Sequence, residues 1–241
     1  MEEQQKTPGS PTQNSIPTTT NKSPQTLTTL MQMRHSTRSF LPTPVPRALL
    51  HEALALAQQT PSNSNLQPWR LKVLTGPALE RLSTALLAAV DQGRTPTTAP
   101  IPEAYRHYRS ALGKEMYGPN GYAVAREDSQ GMEAARRRNY TFFDAPLAMI
   151  VYMDRQLAEV DVMCVGMYVQ ALCLLLAERG LASCVQVSVA GYPDVVREVV
   201  GIREEMSVLS GIAVGFENEG SRLNRLRVER DGVAECVECM E

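Results

Sequence analysis

Two pairs of arginines are the clearest candidates for chemistry in this chain of 241 residues. Arg34 and Arg38 stand four positions apart around Ser36, and Arg225 and Arg227 stand near the other end. A guanidinium donates paired hydrogen bonds to phosphate oxygens, and a serine hydroxyl adds a further donor. Each pair alone could also be a solvated basic turn. Because the formal net charge is -2, we interpret them together as a local site for one phosphate ester.

A polar stretch at residues 61–69 is the second candidate. It contains short hydroxyl and amide side chains, two prolines and the only tryptophan of the chain. Such side chains hydrogen-bond to nearby backbone and favour turns, so the stretch can direct several donors and acceptors at one point. The same composition also describes an ordinary surface loop.

The sequence lacks the common nucleotide-binding motifs. There is no G-x-G-x-x-G after a strand-like run and no P-loop. No serine or cysteine has the partner pattern of an activated nucleophile. A phosphorylated organic cofactor that does its own chemistry fits these absences, because the protein then has only to bind and orient it.

Composition indicates an ordinary globular protein, with 43% hydrophobic and 21% charged residues. The near-neutral charge gives no reason to expect nucleic acid or a membrane surface as a partner. No apolar block follows Met1, and the five cysteines are scattered, which favours free thiols in the cytoplasm. Cys236 and Cys239 form a C-x-x-C pair, but a four-ligand metal site needs two more partners, so we expect no metal.

The hydrophobic pattern predicts a single domain at residues 27–235, between a disordered Ser/Thr/Pro-rich tail (1–26) and a short C-terminal tail (236–241). Helical periodicity predicts helices at 27–33, 47–59, 78–90, 103–116, 129–142, 160–177 and 192–199. Runs of strand length predict strands at 71–75, with Gly76 and Pro77 closing it, 147–153, 183–189 and 208–214.

The predicted helix at 160–177 is apolar nearly all round. It is slightly short for a bilayer span, which needs about 20 residues. We therefore expect it to be buried on every side, either in the core or against another subunit.

Five short motifs occur in sequence between residues 28 and 230. They are Arg34-x-Ser36-x-Arg38-x-Phe40, Pro61-Ser62-x-x-Asn65-x-Gln67-Pro68-Trp69, Gly180-Leu181-x-Ser183-Cys184-x-Gln186, Tyr192-Pro193-x-x-Val196-Arg197 and Asn224-Arg225-x-Arg227. No single motif is decisive, but in this order they resemble the FMN-dependent nitroreductases. The likeness is greatest to the branch of nitrobenzoate and broad nitroaromatic reductases.

The resemblance implies an α+β sandwich with a central, mostly antiparallel sheet surrounded by helices. It also implies an intertwined homodimer with FMN at the interface and the apolar helix in the dimer core. The implied reaction is reduction of nitroaromatic or quinone-type acceptors by NAD(P)H, through a ping-pong hydride mechanism. A flavin-dependent biosynthetic dehydrogenase or enone reductase, and a non-catalytic FMN-binding protein, remain as alternatives.

The resemblance also assigns residues to parts of FMN. Arg34, Ser36, Arg225 and Arg227 would hold the phosphate. Arg38 would lie near the N1 and C2 carbonyl edge, where a cation stabilises the charge of the reduced flavin.

Other residues would contact the ring and the ribityl chain. Ser62, Asn63 and Asn65 would reach the pyrimidine side from the partner subunit. The backbone of Gln186, Val187 and Ser188 would approach flavin N5. The expected cofactor-binding set is completed by the motif neighbours His35, Pro61 and Gln67.

Residues 91–140 form a predicted variable insert, or lid. The candidate substrate contacts within it are Tyr105, Tyr108 and Tyr117, since aromatic rings can cover a planar ligand. The three consecutive arginines at 136–138 are expected on a solvated helix face.

Overall fold

Four strands form one antiparallel sheet in a computed structural model that describes residues 25–240. The strands are β1 (Arg70–Thr75), β2 (Leu147–Asp154), β3 (Ala182–Gln186) and β4 (Met206–Gly215). Their spatial order is β1-β2-β4-β3, and every neighbouring pair is antiparallel. The expected α+β fold with a mostly antiparallel sheet is confirmed. Most of the predicted N-terminal tail lies outside the described residues.

Eight α-helices accompany the sheet in this part of the chain. They are α1 (Leu27–Met33), α2 (Arg47–Ala57), α3 (Gly76–Asp91), α4 (Arg106–Tyr117), α5 (Ser129–Arg137), α6 (Glu159–Glu178), α7 (Pro193–Val200) and α8 (Val233–Cys236).

Helices cover both faces of the sheet. Successive side chains of a strand point to opposite faces, and β2 shows the consequence directly. Leu147, Met149 and Val151 pack with α2 and α6, whereas Ala148 and Ile150 pack with α3 and α7. A central strand buried on both faces has to be apolar throughout, which explains why residues 147–153 form a continuous hydrophobic run.

Helix α6 buries only one of its faces within the chain. Tyr168 and Leu172 are fully buried against the sheet, whereas Met163 on the outer face is 59% exposed. By length and composition α6 could also cross a membrane, although its inner face is already buried in the protein. The prediction that α6 is buried on every side is therefore wrong for a single chain. Of the two alternatives predicted from the sequence, contact with a second subunit remains.

The helix expected at 129–142 is shorter, and a left-handed backbone turn follows it. α5 ends at Arg137, and Phe142, Phe143 and Asp144 have φ of 52°, 55° and 61°. Left-handed backbone costs an L-residue roughly 1–2 kcal/mol, and it cannot continue a right-handed helix. Both phenylalanine rings are buried in the core, which offsets that cost.

Three other boundaries differ from the sequence prediction. β3 ends at Gln186, and Val187–Gly191 forms a 3-10 helix instead of extending the strand. Gly76 and Pro77 begin α3 rather than a separate turn, because proline lacks the N–H that the first helical turn leaves unused. Arg222–Arg225, for which the sequence predicts no helix or strand, also forms a 3-10 helix.

Replacing Leu82 with alanine tests the core between α3 and the sheet. Leu82 has no exposed surface, and truncating a fully buried leucine costs about 2–5 kcal/mol. We expect the free energy of unfolding from denaturant titration to fall by that amount. Thr84→Ala, on the exposed side of the same helix, should change it by less than about 0.5 kcal/mol; equal losses in the two variants would contradict the assigned core.

Candidate functional site

The first arginine motif lies in an extended segment beside β3. Ser36 forms a parallel bridge with Ser183, and the Thr37 amide donates to the Ser183 carbonyl at 3.1 Å. These backbone contacts make the segment a short addition to the sheet edge. They fix the positions from which Arg34 and Arg38 extend.

Asn224 joins the two arginine motifs. Its buried Oδ1 accepts from the Arg38 amide at 2.8 Å, and Nδ2 donates to the Ser39 carbonyl at 2.8 Å and to the Asn218 carbonyl at 3.1 Å. Arg227 Nη1 donates to the Asn224 carbonyl at 2.8 Å. One amide therefore holds the C-terminal motif against the N-terminal one. The sequence placed Asn224 in the motif beside Arg225 but did not reveal this role.

Two clefts adjoin this junction. A cleft of about 500 Å³ is lined by Arg34 and Ser183 among other residues. A second cleft of about 480 Å³ is lined by Arg225 and Arg227. Residues that line both clefts are Met33, His35, Glu217 and Glu219. The structure thus brings Arg34, Arg225 and Arg227, three of the four residues predicted to hold the phosphate, to one region together with their motif neighbour His35.

The charge of the clefts is mixed. Glu217 and Glu219 were not expected from the sequence in a region meant for an anion. His35 Nε2 lies 3.1 Å from Glu217 Oε1, and Nδ1 lies 2.9 Å from the Met33 carbonyl oxygen. The carboxylates therefore share the second cleft with the guanidinium groups of Arg225 and Arg227.

Two thiols are buried beneath the first arginine motif. Burial raises the pKa of Cys184 to about 11, with Arg38 opposing the rise. Burial also raises the pKa of Cys173. Thiols of this kind stay protonated at neutral pH and are poor nucleophiles, so we assign them to packing.

Several buried polar atoms without partners are concentrated where β3 ends. Gln186 is 3% exposed; its Nε2 donates to the Asn139 carbonyl at 2.7 Å, but its Oε1 has no partner among the described residues. The same holds for Ser188 Oγ, Tyr122 Oη and Arg138 Nε. Buried polar atoms are nearly always paired, so this concentration indicates a place that a polar ligand would complete.

Arg138 and Tyr122 are site candidates that sequence patterns did not reveal. Arg138 Nη2 donates to the Arg38 carbonyl at 3.3 Å and to Asp144 Oδ2 at 3.2 Å. Burial raises the pKa of Tyr122, while the charges of Arg138 and Arg38 oppose that rise. The expectation that the arginine run lies wholly on a solvated helix face is therefore wrong for Arg138.

The polar stretch at 61–69 lies elsewhere on the chain. The Asn63 amide is 3.4 Å from Cys164 Sγ, near the start of α6. Ala177, at the other end of α6, lines the first cleft. With a rise of 1.5 Å per residue, these positions are about 20 Å apart along the helix. A single chain therefore does not bring the stretch to its own arginine clefts.

The polar stretch also has an unusual backbone. Ser64, Asn65 and Gln67 have φ of 47°, 56° and 47°, and Ser62 Oγ accepts from the Gln67 amide at 3.0 Å, which closes the turn. Strained backbone of this kind is concentrated at ligand-binding segments. The polar side chains of the turn are largely exposed, as is Pro61 before it.

Trp69 anchors the end of the stretch to α6. Its ring stacks on Tyr168 with a centroid distance of 4.8 Å, and its Nε1 donates to Gln58 Oε1 at 3.0 Å. Because Trp69 and Tyr168 are both buried, the strained turn is attached to a rigid base.

The three candidate lid tyrosines lie in two places. Tyr105 and Tyr108 stack at 6.4 Å on the exposed side of the insert. The Tyr108 hydroxyl donates to Asp231, which raises the pKa of Tyr108. Tyr117 instead packs 6.0 Å from the ring of Tyr122. Among the three, Tyr117 is therefore connected to the unpartnered atoms near Arg138.

Comparisons with known proteins agree on one family. The model of the nitroreductase family matches residues 31–216. A 4-nitrobenzoate reductase of Pseudomonas putida is 31% identical over 202 residues, which is 82% of this chain and 88% of that protein.

Solved structures agree with this match. The FMN and NADPH-dependent nitroreductase NfnB of Sphigopyxis sp. strain HMH has a TM-score of 0.86 and 32% identity, covering 90% of this chain and 100% of that one. The FMN-dependent nitroreductase NfnB of Mycobacterium smegmatis, solved with NADPH, has a TM-score of 0.82 and 28% identity over 88% of this chain and 96% of its own. This chain belongs to the nitroreductase family.

Proposed function

We propose that this protein is an FMN-dependent oxidoreductase that uses NAD(P)H to reduce nitroaromatic or quinone-type acceptors. The observation that supports this most is the concentration of unpartnered buried polar atoms at the end of β3, next to the arginine motifs. FMN, when bound, supplies the redox chemistry: it takes a hydride from NAD(P)H and passes reducing equivalents to the acceptor in a ping-pong cycle.

The described residues fit the phosphate end of FMN. Arg34, Arg225 and Arg227 line adjoining clefts, and guanidinium groups bind phosphate oxygens in a bidentate manner. The Ser36 hydroxyl lies in the same segment as Arg34 and offers a further donor. Asn224 keeps the two arginine motifs in register through its buried hydrogen bonds, so the cations are positioned before a ligand binds.

The residues at the end of β3 fit the ring of FMN. A flavin ring presents both carbonyl acceptors and an N–H donor to its pyrimidine side. Here Arg138 Nε and Tyr122 Oη can donate and Gln186 Oε1 can accept, and the three atoms lack partners in the described structure. Val187 follows Gln186 and is 60% exposed, which leaves the backbone of Gln186, Val187 and Ser188 approachable by a planar ligand.

We further propose a homodimer in which each flavin site uses both subunits. The loop of Pro61, Ser62, Asn63, Asn65 and Gln67 contacts α6 at Cys164, about 20 Å along the helix from Ala177, which lines the first arginine cleft of the same chain. A second copy packed on the exposed apolar face of α6 could bring its loop to these clefts. The apolar residues available for that contact are Val160, Val162, Met163 and Met167.

We place the reaction in the cytoplasm. Cys164, Cys173 and Cys184 are buried free thiols, and Cys236 and Cys239 are exposed free thiols. A reducing compartment keeps such cysteines unpaired.

Absorbance and turnover measurements test the proposed function directly. The purified protein should be yellow after addition of FMN, and NADPH should bleach the flavin band in the absence of oxygen. Turnover of a nitroarene and a quinone is expected. Turnover of an activated alkene alone would favour an enone reductase, bleaching without any turnover of acceptors would contradict the proposed substrate class, and a colourless protein would refute the cofactor assignment.

Removing Arg225 and Arg227 together tests the phosphate site. Each charge-assisted hydrogen bond is worth about 1.5–3 kcal/mol, so the double alanine variant should bind FMN at least about 100-fold more weakly. The measurement is the dissociation constant from flavin fluorescence quenching. Arg230→Ala is the matched control, because within the described residues 25–240 Arg230 Nη1 donates to the nearby carbonyls of Val228 and Glu229. Unchanged flavin retention in the double variant would refute the phosphate role.

Replacing Met163 with aspartate tests the proposed dimer. A charge in the centre of a desolvated apolar interface is costly, so we expect a monomer by light scattering and loss of FMN in the same preparation. Val233→Asp is the control, since Val233 is 77% exposed on the short α8. A Met163→Asp protein that remains dimeric and yellow would exclude α6 as the interface.

A further inference from the structure

Three consecutive arginines follow one another at the end of α5, and their surroundings differ. Arg136 pairs with Glu133 one helical turn away, with nitrogen–oxygen distances of 2.7 and 2.8 Å. Arg137 pairs with Asp91, also at the surface. Arg138 also pairs with a surface carboxylate, with Nη2 3.2 Å from Asp144 Oδ2, but its Nε is buried with no partner among the described residues. Only this third arginine presents an unused donor to the interior.

The backbone after α5 determines where Arg138 lies. Its carbonyl accepts from the Phe143 amide at 2.9 Å and from the Thr141 hydroxyl at 3.3 Å. The left-handed turn at Phe142, Phe143 and Asp144 makes this arrangement possible. A turn of this cost persists only where the surrounding structure enforces it, and such strain is often found at functional sites.

Arg138 and Tyr122 both lie beside Arg38. Arg138 Nη2 donates to the Arg38 carbonyl at 3.3 Å, and the buried Tyr122 hydroxyl has no partner in the described residues. Burial raises the pKa of Tyr122, so its hydroxyl remains a hydrogen-bond donor at neutral pH. The two unpartnered donors lie in the same region, beside the backbone of Arg38, where an acceptor with developing negative charge would satisfy them.

We infer that Arg138 and Tyr122 contact the pyrimidine ring of FMN, an assignment that rests on the proposed function. Arg138 adds a second cation to that of Arg38, and the Tyr122 hydroxyl donates to a ring carbonyl. Reduced flavin carries negative charge on this part of the ring, whereas oxidised flavin is neutral. Fixed cations stabilise the charged form more than the neutral one, so Arg138 raises the reduction potential of the bound cofactor.

The variant Arg138→Gln of the full chain tests this assignment. The dissociation constants of oxidised and reduced FMN are measured anaerobically, together with the midpoint potential of the bound flavin. Loss of one charge-assisted contact should weaken reduced FMN about tenfold more than oxidised FMN. For a two-electron couple a tenfold ratio lowers the potential by about 30 mV.

Two further arginine variants separate charge from structure. Arg138→Lys keeps the cation and should restore most of the potential, although it loses the planar fork. Arg137→Gln removes the neighbouring surface arginine and should leave both dissociation constants and the potential unchanged. A potential lowered equally by Arg137→Gln and Arg138→Gln would overturn the assignment to a specific contact.

Tyr122→Phe tests the second residue by removing only a hydroxyl. We expect oxidised FMN to bind about two- to tenfold more weakly, because a neutral hydrogen bond is worth about 0.5–1.5 kcal/mol. The visible absorption band of the bound flavin should also shift, since it responds to hydrogen bonds at the ring carbonyls. Tyr152→Phe, which removes the hydroxyl of a tyrosine on β2 that packs against the core, is the control and should leave both unchanged.

The outcomes distinguish this inference from the proposed function. If the unaltered protein binds no FMN, the proposed function fails and the inference fails with it. If that protein binds FMN and Arg138→Gln keeps its potential and affinities, only the inference is overturned. Should Arg138→Gln fail to fold, Tyr122→Phe decides, and an unchanged affinity and spectrum in that variant would overturn it.

Discussion

The arrangement of the candidate site depends on one buried amide. Asn224 bonds to the backbone of Arg38, 186 positions away in the sequence, and also to Ser39 and Asn218. Together with the bridge between Phe40 and Glu217, this junction holds the C-terminal arginine motif against the segment that β3 already fixes. A phosphate gains most from cations that are already in place, because a ligand then does not have to order them when it binds.

Helix α6 connects the fold to the site through its two different faces. Its inner face, with Tyr168 and Leu172, completes the core of one chain. Its outer face is equally apolar but uncovered, and the helix separates the polar loop near Asn63 from the clefts near Ala177. The core of the fold is therefore complete in a single chain, whereas the proposed site needs a second copy. The inner face of α6 contributes to the core, and its outer face offers the contact for the second copy.

The sequence predicts the elements of the fold better than their ends. β2 has a continuous apolar run and α6 a long apolar pattern because both bury apolar side chains, and such patterns can be read from the sequence. The left-handed turn at Phe142–Asp144 leaves no such pattern, because phenylalanine is not a residue that usually adopts positive φ. The inward direction of Arg138 follows from that turn, so three arginines that look equivalent in sequence are separated only by three-dimensional structure.

The polar groups around Arg38 share one chemical property. Guanidinium stays protonated at every pH at which proteins are folded, and burial raises the pKa of both Tyr122 and Cys184 away from neutrality. Gln186 does not titrate. A redox centre held by such groups keeps a constant electrostatic surrounding while it gains and loses charge. Fixed charges and hydrogen bonds of this kind can favour one oxidation state of the proposed cofactor without a change in their own protonation.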